Sequence, residues 1–267
     1  MPLSDMASYD SSLLLKFVRN SLRTRHTAPW GSEIPNDIFL NYILFYRVNN
    51  ENIEDYREIF YKELSPRIAG MGMGDTALEV NYWCYEKATY RSSDDRTVSP
   101  LTIMKNGHGR CGEESVFTVS ALRSVGIPAR QCYTPKWSHC DDNHAWVEVW
   151  IDGVWHYMGA CEPEPVLDKG WFTYAATKAM LVYSRLFSDI KPSGRVISQN
   201  GQIAELNHLD TYAAVNELIV TVLGEEKKPI AGANVQFQVL NYAELSPIAT
   251  LTTGMDGKAK LVTGLGS

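Results

Sequence analysis

The chain has 267 residues, of which 45% are hydrophobic and 21% charged; these are ordinary globular values and exclude collagen-like, disordered and disulfide-scaffold classes. Its 25 Lys and Arg against 31 Asp and Glu give a formal charge of −6, and with no basic block a nucleic-acid partner is disfavoured. No apolar run approaches the roughly 20 residues that cross a bilayer, so no membrane span is expected, and the length predicts two unequal domains at about 150 residues per domain.

The first hundred residues read as helix. Leu13, Leu14, Leu15, Phe17, Val18 and Leu22 form one apolar stripe. Ile38 to Tyr46 is apolar nearly all round, and Ile53 to Leu64 carries an apolar face until Pro66 stops it. After a Gly- and Met-rich stretch, Asp75 can cap a further helix through about Tyr90. Arg91 to Pro100 is a polar loop. Cys111 to Val125 repeats apolar residues at helical steps and is ended by Gly126 and Pro128.

Arg130 to Tyr133 is a short strand, and Asn143 to Ile151 alternates like a strand with Glu148 on a solvated face. Asp152-Gly153 between it and Val154 to Ala160 signals a two-residue hairpin turn. With that turn, paired positions sum to 305, so Trp150 faces Trp155, Trp146 faces Gly159 and His144 faces Cys161. Lys169 to Phe187 reads as helix again. From about Thr211 the pattern is β, with strands at Leu218 to Leu223, Ala233 to Leu240, Ile248 to Thr253 and Lys258 to Val262.

The chemistry centres on Cys111. A thiol at a helix start meets free backbone N–H groups and the positive end of the helix dipole, which favour thiolate and can hold an oxyanion. A thiolate nucleophile needs a proton-shuttling base, and His144, on a strand 33 positions later, is the histidine suited to it. This is a papain-like arrangement.

The stretch GRCGEESVFTVSALRSVGIPAR followed by DDNHAWVEVWIDGVWHYMGACEPEP resembles the core of the transglutaminase-like superfamily, which includes transglutaminases, peptide N-glycanases and bacterial cysteine-peptidase-like proteins. The resemblance covers roughly residues 100–165. It implies an α+β, papain-like transglutaminase core, with Cys111 as nucleophile and His144 as base. The flanking segment YILFYRVNNENIEDYREIF is similar to bacterial multidomain members. The family completes its triad with an Asp on the next strand, where this chain has Gly159. Glu162, followed by Pro163, is the nearest carboxylate to take that role, and the Cys161-Glu162 pair matches the second half of the peptide N-glycanase sequence Asp-Pro-Cys-Glu. Trp137 and Trp146 are candidate walls of a substrate groove.

The implied organisation is a helical N-terminal region (1–98), a catalytic core (99–210) and a partial all-β immunoglobulin-like sandwich (211–267) resembling carboxypeptidase-regulatory-like modules. That sandwich reads as cut short, with more protein following Ser267. The expected reaction is acyl transfer through a thioester on Cys111, most simply hydrolysis of a peptide or amide bond in a peptide or protein substrate. A transamidase and an inactive binding or assembly module are the alternatives. No cofactor is expected, and the wide, irregular spacing of Cys132, His139, Cys140 and His144 argues against zinc. Whether Cys132 and Cys140 are bridged stays open, as does the oligomeric state. The sandwich appendage points to an extracytoplasmic location with a signal removed, a cytoplasmic one also staying open.

Overall fold

In the computed structural model, which describes residues 2–93, 97–188 and 194–265, the chain divides into two compact units. The first comprises the described residues of Met1–Cys132, Ala145–Trp171 and Arg185–Lys191, and the second those of Tyr133–His144, Phe172–Ser184 and Pro192–Ser267.

The first unit begins with α1 (Leu3–Ser8) and α2 (Ser11–Thr27). The Asp10 carboxylate caps α2 by accepting from the Ser12 N–H at 2.7 Å. Helix α3 (Asn36–Phe39) runs into a π turn at Leu40–Leu44, so the expected Ile38–Tyr46 helix is shorter and widens from α to π. Then come α4 (Arg57–Leu64), α5 (Met73–Lys87), β1 (Thr89–Tyr90), α6 (Pro100–Asn106), β2 (His108–Gly109) and α7 (Cys111–Ser124). Helices α4, α5 and α7 meet through Phe60, Trp83 and Phe117, whose rings lie 5.2–5.5 Å apart. Helix α7 is buried from Gly112 to Ser124. The three-residue steps expected to mark one apolar face belong to a central helix covered on every side. Its Arg123 is buried too, donating to the carbonyls of Ala129, Phe45 and Arg47, so the N-terminal region is tied to α7 through this one guanidinium at Phe45 and Arg47.

Strands β3 (Ala129–Thr134), β4 (His144–Ile151) and β5 (Val154–Met158) follow. The β4–β5 register runs from Ile151↔Val154 to Val147↔Met158, every pair summing to 305. Asp152 and Gly153 form the turn with φ of 50° and 96°, the left-handed geometry that an Asp-Gly hairpin needs. All eight residues of β4 are buried, which corrects the solvated face assigned to Glu148. That carboxylate meets the buried Arg130 at 2.6 Å.

The second unit contains α8 (Thr173–Ala176), the first two residues of β6 (Tyr183–Leu186), β7 (Arg195–Asn200) and β8 (Ile203–Asn207), then β9 (Val215–Thr221), β10 (Asn234–Asn241), β11 (Glu244–Thr252) and β12 (Lys258–Gly264). The expected helix from Lys169 to Phe187 shrinks to α8. Downstream, Tyr183 pairs with Tyr133 and the Val182 carbonyl accepts from the His208 N–H at 2.8 Å; tertiary pairing overrides the local Ala-rich preference. Strands β10–β11 and β9–β12 form two antiparallel pairs around Phe237, Ala259, Leu261 and Leu181. Pro247 is accommodated in β11 beside a bulge at Phe237/Gln238. Among the described residues no helix is long and apolar enough to cross a membrane.

Candidate active site

Cys111 opens α7 after a tightly held turn. Glu113, two residues on, accepts from the N–H groups of Arg110 at 3.1 Å and Val98 at 3.0 Å. The Ser115 hydroxyl donates back to the Cys111 carbonyl at 2.8 Å. The first turn is thereby fixed at both its entry and its exit.

The half-buried Cys111 Sγ receives the backbone N–H groups of Gly112 and of Ala145, the second residue of β4. Burial pushes its thiol pKa up, and Glu114 adds to that rise, against the downward pull of those N–H groups and of Arg110. The helix-start effect expected from the sequence is present, but desolvation outweighs it. The resting sulfur is a thiol.

His144 heads β4 and is 5% exposed. Its ring stands 5.0 Å from that of Phe172, and desolvation pulls its pKa down to about 4. The imidazole is therefore neutral at physiological pH, the form in which it can accept a proton.

Glu162 lies in the segment after β5. Strand pairing ends at Met158, and Cys161 takes a left-handed φ of 55°, so the chain turns sharply where Pro163 was expected to disturb it. Asn81 of α5 donates to the Gly159 carbonyl at 2.9 Å, and the Cys161 sulfur lies 3.7 Å from the Thr118 hydroxyl of α7. A Cβ added to Gly159 would stand 2.8 Å from Glu162 Cβ, 2.8 Å from its Oε2 and 3.1 Å from its backbone oxygen. The Glu162 side chain occupies the space that a side chain at 159 would fill. Its carboxylate accepts from Trp171 Nε1 at 3.0 and 3.1 Å, and burial raises its pKa against that hydrogen bond.

The other sequence candidates fall differently. Trp146 and Trp137 are 0% and 3% exposed, so neither indole presents an open face for a groove in this conformation. Trp171 is 63% exposed with its N–H on Glu162. All five cysteines are free thiols, and among the described residues no group of three or more His, Cys, Asp or Glu could hold a metal ion.

Glu114 is a further buried carboxyl of the first turn of α7. It is 1% exposed, and burial, then Glu162 and Glu113, push its pKa up to about 8. From the unfolded carboxyl value of about 4.3 up to about 8, the native state binds the extra proton, so this group withdraws stability as pH rises through that window. Glu114→Gln should therefore stabilise the protein increasingly from pH 4.5 to 8, by on the order of 5 kcal/mol at the top. Urea melts at several pH values check this; a gap independent of pH would refute it.

A family model described as the transglutaminase-like superfamily matches residues 62–160. A curated peptide-N(4)-(N-acetyl-beta-glucosaminyl)asparagine amidase of Eremothecium gossypii is 33% identical over 104 residues, covering 35% of this chain and 28% of that protein. The chain thus matches under a third of that relative's length. Among solved structures, a candidate cysteine protease of Cytophaga hutchinsonii is 18% identical with a TM-score of 0.40, over 70% of this chain and 68% of that one. A transglutaminase of red sea bream is 11% identical with a TM-score of 0.34, over 92% and 52%. The sequence match encloses the Cys111 helix, the β4–β5 hairpin and Gly159, so residues 62–160 of this chain are similar to the transglutaminase-like superfamily core.

Proposed function

We propose that the chain is a cysteine-dependent acyl-transfer enzyme that hydrolyses a peptide or amide bond. Cys111 Sγ attacks the carbonyl carbon as His144 takes the thiol proton. His144 then returns that proton to the departing amine, leaving a thioester on Cys111 that water hydrolyses with His144 again as base. The N–H of Cys111 at the start of α7 serves the oxyanion. Glu162 is a positioning residue for the imidazole, in the volume left by Gly159.

The observation that carries this reading is the seat of the thiol. Sγ lies in the first turn of α7 and receives the N–H of Ala145, and the residue preceding Ala145 in the chain is His144. The amide chemistry named for the curated relative supports amide hydrolysis as the reaction. Both reacting groups rest neutral, so proton transfer accompanies attack rather than preceding it.

The test uses the full chain and p-nitrophenyl acetate as acyl donor. An acetyl adduct mapped to Cys111 and turnover lost in Cys111→Ala are expected, with His144→Ala about 10²–10⁴-fold slower. Because the base works only when neutral, activity should fall away as pH drops through about 4 rather than near the ordinary histidine value of about 6.5. An unmodified Cys111, or turnover undiminished in Cys111→Ala, would leave the inert binding module as the better reading. Added primary amine captured in place of water would make it a transamidase.

A further inference from the structure

Within the second unit, the segment leading into His144 is gripped by the tip of the β10–β11 hairpin. Asn241 is 1% exposed, and its Nδ2 donates to the carbonyls of Trp137 and Cys140 at 3.0 Å and of Asp142 at 3.2 Å. Its Oδ1 accepts from the Asp142 N–H at 3.3 Å. The next residue's N–H, that of Tyr242, donates to Asp141 Oδ1 at 2.5 Å. A single asparagine thus closes both ends of the 137–142 loop, about a hundred residues away in sequence, and its neighbour holds the middle.

The backbone at this junction is in sterically penalised conformations. Asn241 pairs with Glu244, leaving Tyr242 and Ala243 as a two-residue turn at φ of 52° and 58°. Such a turn normally takes Asn-Gly or a similar glycine pair, and neither residue here is glycine. Opposite them Asp142 has φ 88° while its own carboxylate accepts from the Asn143 N–H at 2.8 Å. Left-handed side-chain-bearing residues persist where surrounding contacts over-determine them, and they gather where geometry serves function. Three of them meet here, the one on the loop side two residues before His144.

We infer that Asn241 is a positioning residue: the hairpin tip clasps the 137–142 loop and fixes where His144 enters β4. The inference rests on the proposed role of His144 as base. It makes the C-terminal β strands part of the catalytic apparatus, although Asn241 touches neither thiol nor substrate.

The decisive experiment is Asn241→Ala in the full chain, with the His144 ring followed by ¹H–¹⁵N correlation spectra across pH. Loss of the clasp admits water to the buried imidazole, so its titration midpoint should move up by at least about one unit, from near 4 towards the unperturbed value of about 6.5. Turnover of p-nitrophenyl acetate should fall about tenfold or more, and alkylation of Cys111 by iodoacetamide, which draws on the same base, should slow with it. Ala243→Gly removes the steric penalty without removing a clasp hydrogen bond, and should preserve both readouts. If Asn241→Ala does not fold, Asp141→Ala removes the Tyr242 contact alone and should move the His144 midpoint in the same direction. A His144 midpoint unmoved in folded Asn241→Ala would overturn the clasp, whether or not turnover falls. Turnover surviving in Cys111→Ala would instead sink the underlying reading, and the His144 titration would still report on the clasp.

Discussion

Glu148→Ala should cost about 3–5 kcal/mol of unfolding free energy, read as a drop in the urea midpoint with an unchanged slope. The carboxylate is 1% exposed, and its Oε2 meets Arg130 Nε at 2.6 Å and Nη2 at 2.5 Å. The guanidinium also lies over the Trp155 ring at 3.9 Å. Removing the acid leaves that cation desolvated against the Trp155 and Tyr42 rings, and the cost is that of an uncompensated buried charge rather than of one lost contact. The control is Arg130→Met combined with Glu148→Leu. Removing both charges together should recover most of the loss, since a buried pair is often replaceable by apolar groups of similar volume. A single variant within about 1 kcal/mol of the parent would show that water reaches Arg130.

Much of the site's frame was legible where local rules act alone. The Asp152-Gly153 turn fixed the β4–β5 register from two residues, because a two-residue loop admits one pairing. The start of α7 at Cys111 followed from helical spacing and from Gly126 and Pro128 beyond its end. Burial was harder to read. Alternation along β4 looked like one wet and one dry face, yet both faces are covered and Glu148 goes inside with Arg130; a distant partner leaves no periodic trace. The β7–β8 hairpin was missed although Asn200-Gly201 stands at its turn, where Gly201 takes φ 59°. The Gly159–Glu162 relation was legible only as a nominal position. That the carboxylate returns into the empty side-chain volume depends on the left-handed turn at Cys161 and on Asn81 from α5, which no spacing rule supplies. The resting protonation of Cys111 was also out of reach, since the helix start is visible in sequence and the depth of burial is not.

Glu162→Gln should slow acyl transfer by about 10²–10⁴-fold, the range seen when a carboxylate that orients a catalytic imidazole is neutralised. The substitution keeps an acceptor for Trp171 Nε1, so the fold around it should hold and the loss should appear in kcat more than in KM. Gly159→Asp alone should not help and should harm. Its Cβ would stand 2.8 Å from both Glu162 Cβ and Oε2 and 3.1 Å from the Glu162 backbone oxygen; the side chain can swing away but the backbone oxygen cannot. Overpacking of this kind costs about 1–3 kcal/mol, and the displaced Glu162 would lose its bond to Trp171. The informative variant is the double one, Gly159→Asp with Glu162→Ala. It clears the volume and returns a carboxylate to it from the other side, and should regain at least about tenfold over Glu162→Ala alone, with the acid limb of the pH profile restored. A structural role for Glu162 would predict the opposite ranking, because the double variant keeps the backbone crowding and restores neither the Trp171 hydrogen bond nor the native packing. Equal rates in Glu162→Gln and the parent would remove Glu162 from the mechanism.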